Sequence, residues 1–401
     1  YYLSDSGFLQ EYFEADFEEE KTPESYLLAR YLRNSTYLAL LFKMQVNDFL
    51  TQVEQLPSAD LEIMAFPVGR LVYDGSFVGG IYNQEISNEI FPPPPDPPTL
   101  LRLHTDNRLS LPFNAGIFRI DPFVRALATY VSDSLDGMGG FDGSETRGGV
   151  GAGFTASTTL HRVYGNTSDK YSLNRLRHII IPYITAEFLS TGGAGSEEFI
   201  QMDNIDGIDT TTDVRVGVRQ RLQTKRRRLG KWRSVNWVLL DVAAVFRSSD
   251  SVVPLSDEDY VWADFVMLLT EHVSIHSRDN RFASDNTVAN LGARFDFLPE
   301  WALDLDFDYI QDQSAAVTAG LSYKLSDRYH LLAYEQYDFD SQGTGSGDNL
   351  RTQVVLRRFF DQWVLDVGLR VDNARDDNML IFGFGPKGFG AYTDPRRAVR
   401  N

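Results

Sequence analysis

Several groups of residues have the types and spacings that chemistry needs. Asp304, Asp306 and Asp308 set a carboxylate at every second position of WALDLDFDYIQD, residues 301–312. His272 and His276 stand four apart, the spacing of a zinc pair on one helix face. Asp136, Asp142 and Glu145 gather oxygens that calcium favours, and GGVGAG at 148–153 superficially resembles a phosphate loop. Each reading depends on the element beneath it. On a strand, His272 and His276 lie about 13 Å apart at roughly 3.3 Å per residue, too far to share an ion. No helix follows GGVGAG, so strand glycine is the better account. The acidic trio lacks the ligand order of an EF-hand and reads as a solvated loop. No Ser–His–Asp or paired-carboxylate set emerges, so no enzyme, metal site or cofactor is expected.

The element that positions the Asp row is a strand, because strand side chains alternate faces. Trp301, Leu303, Leu305, Phe307 and Tyr309 take the other side. The same period recurs. Leu291, Ala293 and Phe295 oppose Asn290, Arg294 and Asp296; Leu365, Val367 and Leu369 oppose Asp366 and Arg370. Val214, Val216 and Val218 oppose Arg215, with Arg219 and Arg221 continuing the basic row. Two architectures satisfy such ribbons: a soluble sheet packed on a core, or a membrane barrel. Each segment is about the 9–11 residues that a tilted strand needs to cross a bilayer.

The links favour the barrel. Nineteen strands are expected, joined alternately by short turns (68, 114, 270, 298–300, 326–328, 360–362) and mostly longer polar loops (48–56, 84–98, 133–146, 191–209, 248–259, 340–349). Two links break the alternation: 164–175 is long on the short side, and 311–313 is short on the long side. Bacterial outer-membrane barrels have short periplasmic turns and long external loops. Trp301, Tyr329 and Trp363 each follow a short turn, as an interfacial aromatic girdle requires. A basic side chain at the lipid midplane costs about 2–4 kcal/mol, acids somewhat less. Asp304, Asp306, Asp308, Arg215, Arg219 and Arg221 are therefore expected to face a wet lumen. The expectation is an all-β, large antiparallel up-and-down transmembrane β-barrel in the outer membrane.

Composition agrees. The 401 residues are 43% hydrophobic and 13% aromatic, and no apolar run is long enough for a membrane helix. A net charge of −18 argues against nucleic acid, and the absence of cysteine excludes disulfides and thiolate metal sites. One basic cluster, KRRRLGKWR at 225–233, stands out; it reads first as a solvated turn that anchors by snorkelling, and otherwise as a phosphate-binding patch.

Several short motifs occur in an order that resembles the barrel of the LPS-assembly outer-membrane protein family (LptD type). They are SDSGFLQEY at 4–12, Leu56–Pro57, LRLHTDNRLSLPF at 101–113, IDPFVRALATY at 120–130 and RHIIIPYITAEFL at 177–189. DGID at Asp206–Asp209, GVRQRL at 217–222 and LSYKLSDRYHLLAYEQYDF at 321–339 complete the series. The resemblance implies a barrel of about 26 strands, the large end of the usual range, preceded by a periplasmic jelly roll. This chain would then be a fragment, 1–401 being barrel, with Tyr1–Leu3 the tail of an interrupted strand. The resemblance further implies a translocon that inserts lipopolysaccharide into the outer leaflet through the lumen and a lateral gate. Implied partners are lipopolysaccharide, a plug lipoprotein (LptE type), a periplasmic bridge protein and the barrel-assembly machinery. The last strand, with Leu380, Phe382, Gly383 and Phe384, would line the gate. The alternative function is a general porin or solute channel.

Overall fold

A computed structural model describes residues 24–46, 51–87, 98–135, 140–228, 231–252, 257–298, 300–339, 347–373 and 377–387. Tyr1–Leu3, the motif at 4–12 and most of the proline-rich stretch at 91–98 lie outside them. The first strands are β1 (Ser25–Arg33), β2 (Thr36–Met44), β3 (Gln52–Val68), β4 (Leu71–Glu85), β5 (Leu100–Ser110), β6 (Phe113–Ala115) and β7 (Phe118–Val131). After β8 (Ser134–Leu135) and β9 (Phe141–Asp142) come β10 (Glu145–Thr158), β11 (Leu160–Ser168), β12 (Leu173–Gly193), β13 (Thr211–Arg228) and β14 (Lys231–Ser249). Shorter strands follow: β15 (Tyr260–Leu268), β16 (Val273–Phe282), β17 (Val288–Leu298), β18 (Trp301–Ile310) and β19 (Ser314–Lys324). The last are β20 (Tyr329–Asp338), β21 (Asp348–Phe359), β22 (Trp363–Asp372) and β23 (Asp377–Pro386).

Every ladder is an antiparallel pairing of chain neighbours, an up-and-down meander. β6 pairs β7 in the register of β5, and β11 pairs β12 in the register of β10, so each is the continuation of one strand. β8 and β9 form a separate two-residue ladder within a loop. With those four set aside, the 23 elements among the described residues reduce to nineteen strands, the number expected from the sequence.

Two link expectations are corrected. The exception at 164–175 disappears, because β11 carries the strand to Ser168 and leaves only a four-residue turn. Asn114 lies inside β6, and the reversal falls at Gly116, whose φ of 63° suits a residue without Cβ. Gly69, at φ 67°, does the same between β3 and β4.

The faces are segregated in the opposite sense to a soluble core. On β21–β23, Val354, Leu356, Val367, Leu369, Leu380, Phe382 and Phe384 are all exposed. Gln353, Arg357, Asp366 and Asp372 on the reverse side are buried. Trp301 stacks on Tyr323 at 4.1 Å and Trp363 on Phe384 at 4.9 Å, forming paired rings beside short turns.

The chain divides into two compact units, one of residues 1–158, 183–215 and 246–259, the other of residues 159–182, 216–245 and 260–401. In the first, Tyr82, Leu100, Val131, Ala194, Phe199 and Ile200 make a small core. In the second, Leu332, Val355 and Ile381 form a cluster on the ionic side.

Candidate functional site

In the second unit, β18 presents the Asp row. Asp304 is buried opposite Gly320 and Arg294, with a guanidinium nitrogen 3.5 Å from its carboxylate. Asp306 faces Gly292, and its carboxylate lies 3.3 Å from Nε2 of His276. His276, Gly292 and Asp306 are consecutive cross-strand partners, so the absent Cβ of Gly292 is what admits the imidazole and carboxylate side by side. Asp308 is more exposed, opposite Asn290 and Ala316. His272 lies in the turn before β16, apart from this group. Downstream, Arg357 is bidentate to Asp366 at 2.8 Å and Arg351 reaches Asp372 at 2.9 Å, each across one rung. Arg219 pairs with Asp241 at 2.8 Å but is 52% exposed, and Arg221 is exposed on the same side of β13.

The first unit carries an ionic band and a lid-like segment over it. Arg125 on β7 grips Asp106 on β5 and reaches Glu187 on β12 at 2.8 Å. Arg247 on β14 grips Asp213 on β13 at 2.8 Å. Arg125, Glu187, Asp209, Asp213, Arg215 and Arg247 line an open cleft of about 570 Å³. Glycines at 149, 151 and 153 of β10 leave room on this face for Leu127, Leu189 and Phe123.

The segment between β12 and β13, residues 194–210, folds onto the ionic side instead of standing away from it. Two almost fully buried arginines hold it. Arg102 (2% exposed) bonds Asp206 (1%) at 2.8 Å and also grips Asp203, with its guanidinium over the Tyr82 ring. Arg147 donates to the carbonyls of Asp206 (3.0 Å) and Ile205 (2.6 Å) and lies over Phe199. Beside them His104 Nδ1 meets Thr129 Oγ1 at 2.9 Å. Within the segment, Asp206 accepts the amides of Met202 and Asp203, and Asp209 accepts Ser196 N–H and Thr191 Oγ1–H. Burial pushes the Asp206 carboxyl up, against the pull of Arg102. Burial would raise Asp209 too, but its donors outweigh it and hold the carboxyl below the usual range.

Sequence reasoning placed residues 191–209 in a polar loop and assigned no role to Arg102 or Arg147. The signal available was DGID, with carboxylates at 206 and 209, but its cationic partners Arg102 and Arg147 are 104 and 59 residues away from Asp206 in the chain. Glu145 and Asp142 lie at the edge of a loop whose Asp136 is outside the described residues, and no cluster of metal-ligating side chains occurs among the described residues. Within each unit these charged side chains are held as fixed pairs between strands.

A sheet with bare hydrocarbon on one face and buried ions on the other has lipid as its matching solvent. In lipid every backbone group needs an internal partner, which an antiparallel meander supplies between strands. No helix among the described residues is long and apolar enough to cross a membrane. By fold class this is an outer-membrane β-barrel protein, and its place is the cell outer membrane.

No family model matches the chain, and no curated protein does. Among solved structures it is similar to the ferric citrate transporter FecA in the unliganded form, at 10% identity and a TM-score of 0.32, over 86% of this chain and 62% of that one. It is also similar to the FpvAI–pyocin S2 complex, at 8% identity and a TM-score of 0.24, over 90% and 62% respectively. The chain thus spans less than two thirds of the length of either match.

Proposed function

We propose that this barrel is a lipopolysaccharide translocon of the LPS-assembly type, with the ionic face passing the sugar portion and the β22–β23 edge releasing the acyl portion into lipid. The observation that carries the reading is β23. Its Leu380 and Phe382 are 72% and 71% exposed, Gly383 lies opposite Asp366, and among the described residues its ladder is with β22. A strand interrupted by glycine pairs weakly, and apolar flanks suit a passing acyl chain. The ordered motifs around Leu56–Pro57, Pro182, Asp206–Asp209 and Gly217–Leu222 support the same assignment. A plug lipoprotein, a periplasmic bridge protein and the barrel-assembly machinery belong to this proposal as partners.

Conditional depletion in the host tests it. Newly made lipopolysaccharide should stop reaching the cell surface within a few generations and accumulate inside. A second reading, a solute channel, is favoured by the charged cleft beside Arg125 and Arg247. Under that reading depletion leaves surface lipopolysaccharide intact and lowers uptake of small polar solutes.

A further inference from the structure

The β13–β14 hairpin projects beyond its neighbours at the short-turn end. Arg226 is buried level with both adjacent turns: its guanidinium donates to the carbonyls of Ser172 (3.4 Å), Leu268 (2.7 Å) and Thr270 (3.2 Å). Trp237 Nε1–H donates to the Leu269 carbonyl at 3.3 Å on the other arm. The β14–β15 ladder begins only at Val238. Residues 227–228 and 231–236 therefore lie past both flanking turns, the second arm alone covering about 15 Å or more along the strand at roughly 3.3 Å per residue. Lys231, Trp232, Arg233 and Ser234 are exposed in succession, so neither face of the ribbon is covered there.

The composition of this ribbon departs from the rest of the chain. Lys225, Arg227, Lys231 and Arg233 are all exposed cations in a protein of net charge −18, and Trp232 is 57% exposed between two of them. Each flanking turn carries an acid, Asp169 on one and Glu271 on the other. The ribbon continues directly from strands that span the bilayer, which places it at headgroup depth, where tryptophan partitions and cations meet phosphate.

We propose that this ribbon is a docking surface for anionic phospholipid headgroups of the periplasmic leaflet. Its rigid base, bolted to two turns by Arg226, holds the cations on a fixed scaffold, so the entropy lost on binding is small. The proposal rests on the barrel fold and not on the nature of the cargo.

The test uses the whole protein reconstituted in phosphatidylcholine vesicles with trace spin-labelled phosphatidylglycerol or phosphatidylcholine, reading the motionally restricted fraction by EPR. The wild type should prefer the anionic lipid by about fivefold or more, given the attraction of each cation near the surface. Raising salt to about 1 M, which shortens screening to about 3 Å, should remove most of that preference without any mutation. The quadruple variant Lys225→Gln, Arg227→Gln, Lys231→Gln, Arg233→Gln should approach parity between the two lipids. A wild type without preference, or a variant that keeps it, overturns the proposal and leaves the charge to an acidic protein partner.

Discussion

At the scale of single residues, burial decides which charges matter. Arg102 and Asp206 are both almost fully enclosed, with Asp203 on the other side of the guanidinium. Replacing Arg102 with Met removes the cation and leaves the Asp206 carboxylate in a dry site, an imbalance that typically costs about 3–5 kcal/mol. Arg219→Gln breaks an ion pair of similar length whose arginine is half in solvent, and exposed pairs contribute about 1 kcal/mol or less. Urea unfolding in vesicles, followed by tryptophan fluorescence, should separate the two variants widely. Equal losses would mean that the segment over Arg102 is not held as described. The same measurement probes the two faces of β18. Leu305→Arg places a cation in hydrocarbon and should destabilise by about 2–4 kcal/mol. Gly292→Ala should also destabilise, because the added methyl collides with His276 and Asp306, whereas Gly69→Ala meets open space and carries only the strain of a positive φ.

At the scale of elements, the segment 194–210 acts as one latched piece, and its response to acid follows from Asp209. A carboxyl held below its ordinary value in the folded state adds stability that is complete above the unfolded value. That contribution starts to fall only when pH drops below the ordinary carboxylate range, and it is gone below Asp209's own lowered value. Asp206, raised by burial, works in the opposite sense, so Asp209→Asn isolates the latch. Amide-exchange protection at Ser196 and Thr210, corrected for intrinsic rates, should decline on acidification in the wild type. In Asp209→Asn it should be low at neutral pH and change little. The strands themselves were legible because period-two patterning is a local signal: the row from Trp301 to Tyr309 names its own faces. The fold of 194–210 was not, since Arg102 comes from β5, Arg147 from β10 and Phe199 from the segment itself, and no window of sequence contains more than one of them. The reach of β13 and β14 into 225–233, read from the sequence as a turn, was not legible either. Lys225 to Arg233 carry no alternation once both faces are wet, so the pattern that marks a strand fades just where the ribbon leaves the membrane.

At the scale of the whole molecule, the sorting of side chains selects the solvent. Val367, Leu369, Leu380 and Phe382 are uncovered while Asp366 and Arg357 are enclosed, and only a hydrocarbon surround makes that ordering favourable. The protein should therefore sediment with outer membranes and resist extraction by alkaline carbonate, and should be released only by detergent. Release by carbonate alone would return the sheet to the soluble class. The nature of the cargo is a property of the complete assembly, and the surface-lipopolysaccharide measurement addresses it at that level. Charge also has a direction along the strands. Within the second unit, Asp338 and Asp372 sit at the long-loop ends of β20 and β22, and the cationic ribbon sits at a short-turn end.

The uncovered leucines and phenylalanines of β22 and β23 also bear on how the chain reaches its destination. Between synthesis and insertion these side chains cross an aqueous compartment with nothing to shield them, and ladders closed there would present fat-loving sheets to one another. Overproduction that outpaces insertion should therefore deliver the polypeptide to inclusion bodies.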